Sequence, residues 1–168
     1  MINRNRIVKI AGNRILISIV WVALLCACSD SGVVYHSFNH LPERGWDKRE
    51  IQRFSPEIED TLSLYDIDVS LRYTNDYAYS NLWLFIVYTD GEGKQRTDTL
   101  ECRLADVYGK WYGSGWGPSY QQEIPFKKRV HFSVPGKYPI LIQQGMREDV
   151  IQNIKDVGVK VTRIQNIK

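Results

Sequence analysis

Apolar and polar positions alternate with period two along much of the chain. The purest run sets Ile67, Val69, Leu71 and Tyr73 against Asp66, Asp68, Ser70 and Arg72, which predicts a strand with one buried and one wet face. Leu62 and Leu64 lead into it. Asp66 and Asp68 then stand as charges on a solvated face, not as a catalytic carboxylate pair. Residues 82–88 (LWLFIVY) are apolar on both faces, and if Leu82, Leu84 and Ile86 enter the core, Trp83, Phe85 and Val87 need another cover. The stretch 108–120 is the expected cover. Asp90-Gly91-Glu92-Gly93 predicts a hairpin into 97–104, where Leu100, Cys102 and Leu104 share a face and Cys102 is a small buried hydrophobe. Further strands are expected over 33–38, 49–54, 129–134, 138–144 and 157–164, with a helical or irregular piece at 148–154.

Between 106 and 125 the period is lost. Gly109, Gly113, Gly115 and Gly117 alternate with Trp111, Tyr112, Trp116 and Tyr120, which predicts one long aromatic loop, a type of segment that is commonly functional. These glycines lack the Gly-Lys-Ser/Thr ending or the dinucleotide spacing of a phosphate cradle. Trp111, Tyr112, Trp116 and Tyr120 are therefore the candidate partner- or ligand-binding residues. His36 and His40 sit four apart in strand-like context without a third ligand, so no metal site is expected.

Seven or eight short strands joined by Gly, Pro, Asn and Asp turns predict an all-β fold. The expected architecture is a two-sheet antiparallel sandwich, jelly-roll-like or immunoglobulin-like.

The first 27 residues follow a different pattern. Arg4, Arg6, Lys9 and Arg14 precede the apolar run 15–25 (ILISIVWVALL), and Leu25-Cys26-Ala27-Cys28 follows. A positive leader, an apolar stretch of about half the length needed to span a bilayer, and small residues at the end describe a secretory signal. Its end resembles the bacterial lipobox, with Cys28 as the residue that takes the lipid. Two or more acyl chains make a stable anchor where one does not. The expected organisation is a lipoprotein signal peptide over 1–27, a lipidated tether over 28–32 and a β-sandwich domain over 33–168.

Removing the signal changes the charge argument. The chain has 22 Lys+Arg and 19 Asp+Glu, and four of the cations lie in the signal. The mature domain is thus nearly neutral, without the concentrated basic surface that nucleic acid requires. With Cys28 acylated and Cys26 removed, only Cys102 is left, so no intrachain disulfide is expected.

Tyr79-Ser80-Asn81-Leu82-Trp83-Leu84-Phe85, Asp98-Thr99, Leu104-Ala105-Asp106, the string Gly109-Lys110-Trp111-Tyr112-Gly113-Ser114-Gly115, residues 143–147 and Asp156-Val157-Gly158 resemble the GldH family of gliding-motility lipoproteins of Bacteroidetes. The resemblance runs through nearly the whole mature chain and agrees with the lipobox. It implies a non-catalytic envelope lipoprotein of the gliding machinery or an associated secretion apparatus, held in the membrane by the lipid on Cys28, with other envelope motility proteins as partners and no cofactor. The alternative from another class is a carbohydrate-binding module that stacks glycan on the loop aromatics. No residue pattern in the chain points to an enzyme. The serine-and-acid run that directs lipoproteins to the cell surface is only partial in Ser29-Asp30-Ser31, so the outer membrane with the domain facing the periplasm is the expected location.

Overall fold

The computed structural model describes residues 32–164. The signal, Cys28 and the tether up to Ser31 lie outside that range.

Among the described residues thirteen strands follow in order: β1 Val33–His40, β2 Trp46–Asp47, β3 Gln52–Phe54, β4 Glu57–Ile58, β5 Leu64–Thr74, β6 Asn81–Thr89, β7 Gln95–Arg103, β8 Ser114–Trp116, β9 Ser119–His131, β10 Gly136–Lys137, β11 Ile140–Gln144, β12 Val150–Ile151 and β13 Ile154–Ile164. One sheet has the order β1-β13-β5-β9-β8 and the other β3-β11-β6-β7, with β10-β4 and β12-β2 as two-stranded additions. All pairings are antiparallel.

Setting aside the short β2, β4, β8, β10 and β12 leaves eight strands. Among these the first pairs the last (β1 with β13), the second the seventh (β3 with β11), the third the sixth (β5 with β9) and the fourth the fifth (β6 with β7). That nested pairing is a long hairpin rolled into two sheets, the jelly roll. It decides between the two sandwich topologies the alternation left open.

The core lies between the sheets. Ile67, Val69, Leu71 and Tyr73 from β5 meet Leu82, Leu84 and Ile86 from β6, Ile140 and Ile142 from β11, and Val157, Val159 and Val161 from β13. Each fully buried aliphatic side chain contributes roughly 1.5–3 kcal/mol relative to exposure. Cys102 is fully buried here, and burial pushes its thiol up to about 12. Leaving the thiolate at physiological pH is therefore unfavourable, and the residue acts as a hydrophobe.

Several expected boundaries change. The long loop is interrupted by β8 and by the first seven residues of the 13-residue β9. Further along β9 its register against β5 shifts twice, between Tyr65 and Ile67 and between Ile67 and Asp68. At that irregularity Arg129 takes φ 55 and its N–H donates to Asp66 Oδ1 at 2.9 Å. Because β8 covers only Ser119 to Gln121, the rest of β9 is a sheet edge, where Pro125 is tolerated. The strand expected over 49–54 is only Gln52–Phe54, and Trp46 before it is fully buried in the short β2. The piece at 148–154 is not helical: it contains β12. Leu62 is exposed, and β5 begins after it.

Candidate functional site

The chain enters the described domain at Gly32, which accepts from the Arg163 N–H at 2.7 Å. This end also holds the start of β5 and the end of β9, since Leu64 pairs with both Ile164 and His131. The opposite end holds Tyr73, Asn81, Arg103, Ser119 and Tyr120. All four sequence-predicted site residues lie there.

They divide into two pairs. Trp111 is half-buried, 5.5 Å from Tyr73 and 6.2 Å from Tyr120 between ring centroids, and Tyr120 stacks on Tyr73 at 5.8 Å. This aromatic cluster closes the end of the sandwich. Tyr73 anchors it, its hydroxyl donating to the carbonyl of Tyr112 at 2.5 Å and lying 3.2 Å from that of Leu104. Burial pushes the Tyr73 phenol up to about 12, so it stays a neutral donor. Trp116 in contrast is 97% exposed, and Tyr112 is 44% exposed.

Asp106 builds the tip beside them. Its Oδ1 accepts the N–H groups of Tyr108 and Lys110, both at 2.9 Å, and Gly109 supplies φ 81, a conformation glycine adopts without steric cost. Val107 and Tyr108 are left at the apex, each 93% exposed. Sequence reasoning missed these two. The available signal was the Asp-Val-Tyr-Gly-Lys string itself, in which turn-forming residues enclose two large apolar ones.

The expected cover of the 82–88 face is overturned. The 108–120 segment joins the other sheet through β8, and Trp111 faces into the end of the sandwich, so neither reaches Trp83 and Phe85. Trp83 is 38% and Phe85 44% exposed. What partly screens them is the turn after β11. The Gly145 N–H donates to the Trp83 carbonyl at 2.7 Å, and a Cβ at Gly145 would stand 3.1 Å from the Phe85 ring. The turn is held from within by buried Gln144, whose Nε2 donates to the Glu148 carbonyl at 3.0 Å and whose Oε1 accepts the Met146 N–H at 2.8 Å.

The acidic pair Asp66 and Asp68 is occupied by Lys128, at 3.0 and 2.9 Å. His36 lies 3.3 Å from Ser70 Oγ and His40 3.0 Å from Asp156. Among the described residues no group of three or more His, Cys, Asp or Glu is placed to hold a metal ion.

With this geometry, residues 33–161 match the model of the GldH lipoprotein family. The chain belongs to that family. It is 33% identical to the "Gliding motility lipoprotein GldH homolog" of Christiangramia forsetii over 90% of this chain and 96% of the relative. It is also 28% identical to the "Gliding motility lipoprotein GldH" of Flavobacterium johnsoniae, over 83% and 90%. A structure of infectious bursal disease virus, Gx strain, aligns at TM-score 0.30 and 12% identity over 82% of this chain and 31% of that one, and carries no argument. Membership makes this GldH-family chain a gliding-motility lipoprotein, a membrane-anchored component of the cell envelope.

Proposed function

We propose that this GldH-family lipoprotein is a non-catalytic docking component of the gliding machinery, anchored through a lipid on Cys28 after removal of residues 1–27. It presents the far end of its jelly roll to partner proteins. The observation that carries this reading is the exposure of Val107, Tyr108 and Trp116 on hydrogen-bonded turns opposite the end where the chain enters. An aromatic kept in water on an ordered tip contributes nothing to the core, and such residues are the ones that dominate protein interfaces when buried by a partner.

The outer membrane with the domain in the periplasm is the location this reading takes.

Photo-crosslinking tests it. A crosslinker placed at Tyr108 or Trp116 in native membranes should trap a defined protein, and one placed at Glu92 on the entry end should not. Crosslinks from Glu92 alone, or from none of the three, refute the docking role. Cys28→Ala should abolish acylation and move the protein from the detergent phase to the aqueous phase. Protease shaving of intact cells that removed the domain would overturn the periplasmic orientation.

A further inference from the structure

A second feature of the far end lies on the outer face of the β3-β11-β6-β7 sheet. There Trp83 and the turn after β11 enclose a groove of about 430 Å³, lined also by Tyr79, Asn81, Met146, Arg147 and Glu148. That volume falls within the range of small-ligand sites, roughly 300–1,000 Å³. We propose that this groove binds a neutral saccharide, with a pyranose ring stacked on Trp83 and its hydroxyls held by Asn81, Arg147 and Glu148.

Three observations converge on that chemistry. First, the main chain at Trp83 is held while part of the ring stays open: β6 lies between β11 and β7, the backbone N–H of Trp83 points at Met146 Sδ at 3.4 Å, and the residue is 38% exposed. A half-open indole on an ordered strand offers the C–H face of a sugar an apolar platform. Second, planar polar groups ring the platform in mixed donor and acceptor roles. Asn81 Nδ2 donates to Glu101 Oε1 at 2.9 Å, which leaves the Asn81 carbonyl oxygen as an acceptor. Tyr79 donates its hydroxyl to one oxygen of Glu148, which leaves the other. Arg147 has no hydrogen bond or ion pair among the described residues and is exposed. Hydroxyls, each both donor and acceptor, match such a set. Third, Arg147 and Glu148, the two charged residues of the lining, balance one another and leave no positive excess, which disfavours phosphate or an acidic glycan.

A peptide strand fits less well. Strand addition needs free main-chain groups, and beside the groove β6 is paired with β7 on one side while the Trp83 carbonyl and N–H are taken by Gly145 N–H and Met146 Sδ on the other. Those of the turn are engaged too, Gly145 by Trp83 and Met146 by Gln144.

The experiment uses the full-length protein in a detergent without a sugar headgroup. Soluble neutral hexasaccharides of β-1,4-glucose, β-1,3-glucose and β-1,4-N-acetylglucosamine are titrated by calorimetry. Binding of at least one is expected, with Kd raised about tenfold or more by Trp83→Ala, raised less by Arg147→Ala, and restored in large part by Trp83→Tyr. Trp116→Ala, at the protein-docking tip, should leave Kd unchanged. Melting curves of each variant establish that it is folded. The proposal is overturned if no hexasaccharide binds at millimolar concentration, or if folded Trp83→Ala and Arg147→Ala both bind as the parent does. Because the two tips carry separate variants, failure here leaves the docking reading standing, and failure of crosslinking leaves this one.

Discussion

Residues 90–94 (DGEGK) and 106–110 (DVYGK) form the same turn twice, at opposite ends of the jelly roll. In each the aspartate Oδ1 accepts two N–H groups, those of Glu92 and Lys94 at 3.0 and 2.8 Å and those of Tyr108 and Lys110 at 2.9 Å. In each the glycine N–H returns to the aspartate carbonyl, at 3.0 and 3.1 Å, and its φ is 80 or 81. The two positions between differ completely. At the entry end Gly91 packs so closely that a Cβ would sit 1.7 Å from the His131 carbonyl oxygen, and Glu92 pairs with Lys94 at 3.0 Å. At the far end the same positions hold exposed Val107 and Tyr108. Since Asp, Gly and Lys suffice for the turn, Val107 and Tyr108 are surplus to folding. Their presence at one end only is what the proposed docking role rests on.

The largest expected effect separates ring from ring within the far end. Trp111→Ala removes a half-buried ring from the Tyr73–Tyr120 cluster and should cost about 2–3 kcal/mol, lowering the melting temperature by on the order of 10 °C. Trp116→Ala should leave melting unchanged and reduce recovery of a crosslinked partner. If both shift melting equally, the distinction between core and tip fails.

Exchanging the cargo sharpens the comparison. The double variant Val107→Gly, Tyr108→Glu converts the far turn into the sequence of the near one, so folding should be unaffected within about 0.5 kcal/mol, as at other exposed positions. Crosslinking through Trp116 should fall. Gly93→Ala and Gly109→Ala then test that the backbones are equivalent. Neither added Cβ meets an atom within 4 Å, so both should cost about 1 kcal/mol from the left-handed conformation alone. Unequal losses, read from denaturant midpoints, would show that one turn is strained for reasons beyond its dihedral angle.

What was legible in the sequence follows the same division between backbone and cargo. β5, β6 and the 90–94 hairpin could be read because each carries its own signal, strict alternation, a dense apolar run or an Asp-Gly turn. β9 could not, because its pairing to β5 shifts register and a half-buried pattern interrupted by Pro125 no longer alternates. Trp111, Tyr112, Trp116 and Tyr120 fall at one end of the sandwich, yet composition does not tell a ring stacked on Tyr73 from one in water. That depends on the long-range pairing of β9 with β5, which brings Tyr120 beside Tyr73. The groove at Trp83 was hidden for a related reason: its other wall, the turn 145–148, is more than 60 residues away and is shaped by buried Gln144.

The smallest predicted effect is a pH dependence that should mark the entry turn. Arg96 donates to Asp90 Oδ2 at 2.8 Å. That hydrogen bond, ahead of the backbone N–H groups of Lys94 and Glu92, holds the Asp90 carboxyl below the usual carboxylate range. A carboxyl lowered in the folded state stabilises fully above its unfolded value, near 3.9, and the contribution is lost as pH falls through the lower folded value. The turn should therefore stay ordered through neutral and mildly acidic pH. It should loosen only below about pH 4, where protonation deprives the N–H groups of Glu92 and Lys94 of a charged acceptor. Because the turn is on the surface, the global melting temperature should hardly respond. The local readout is the Gly93 amide resonance, followed by NMR from pH 6 to pH 2. A midpoint below that of a free aspartate is expected, moving up toward it in Arg96→Gln, where the guanidinium is gone. A Gly93 midpoint at or above the free value in the parent would show that Arg96 does not hold the turn, and the charged character of the entry end would then be incidental to its shape.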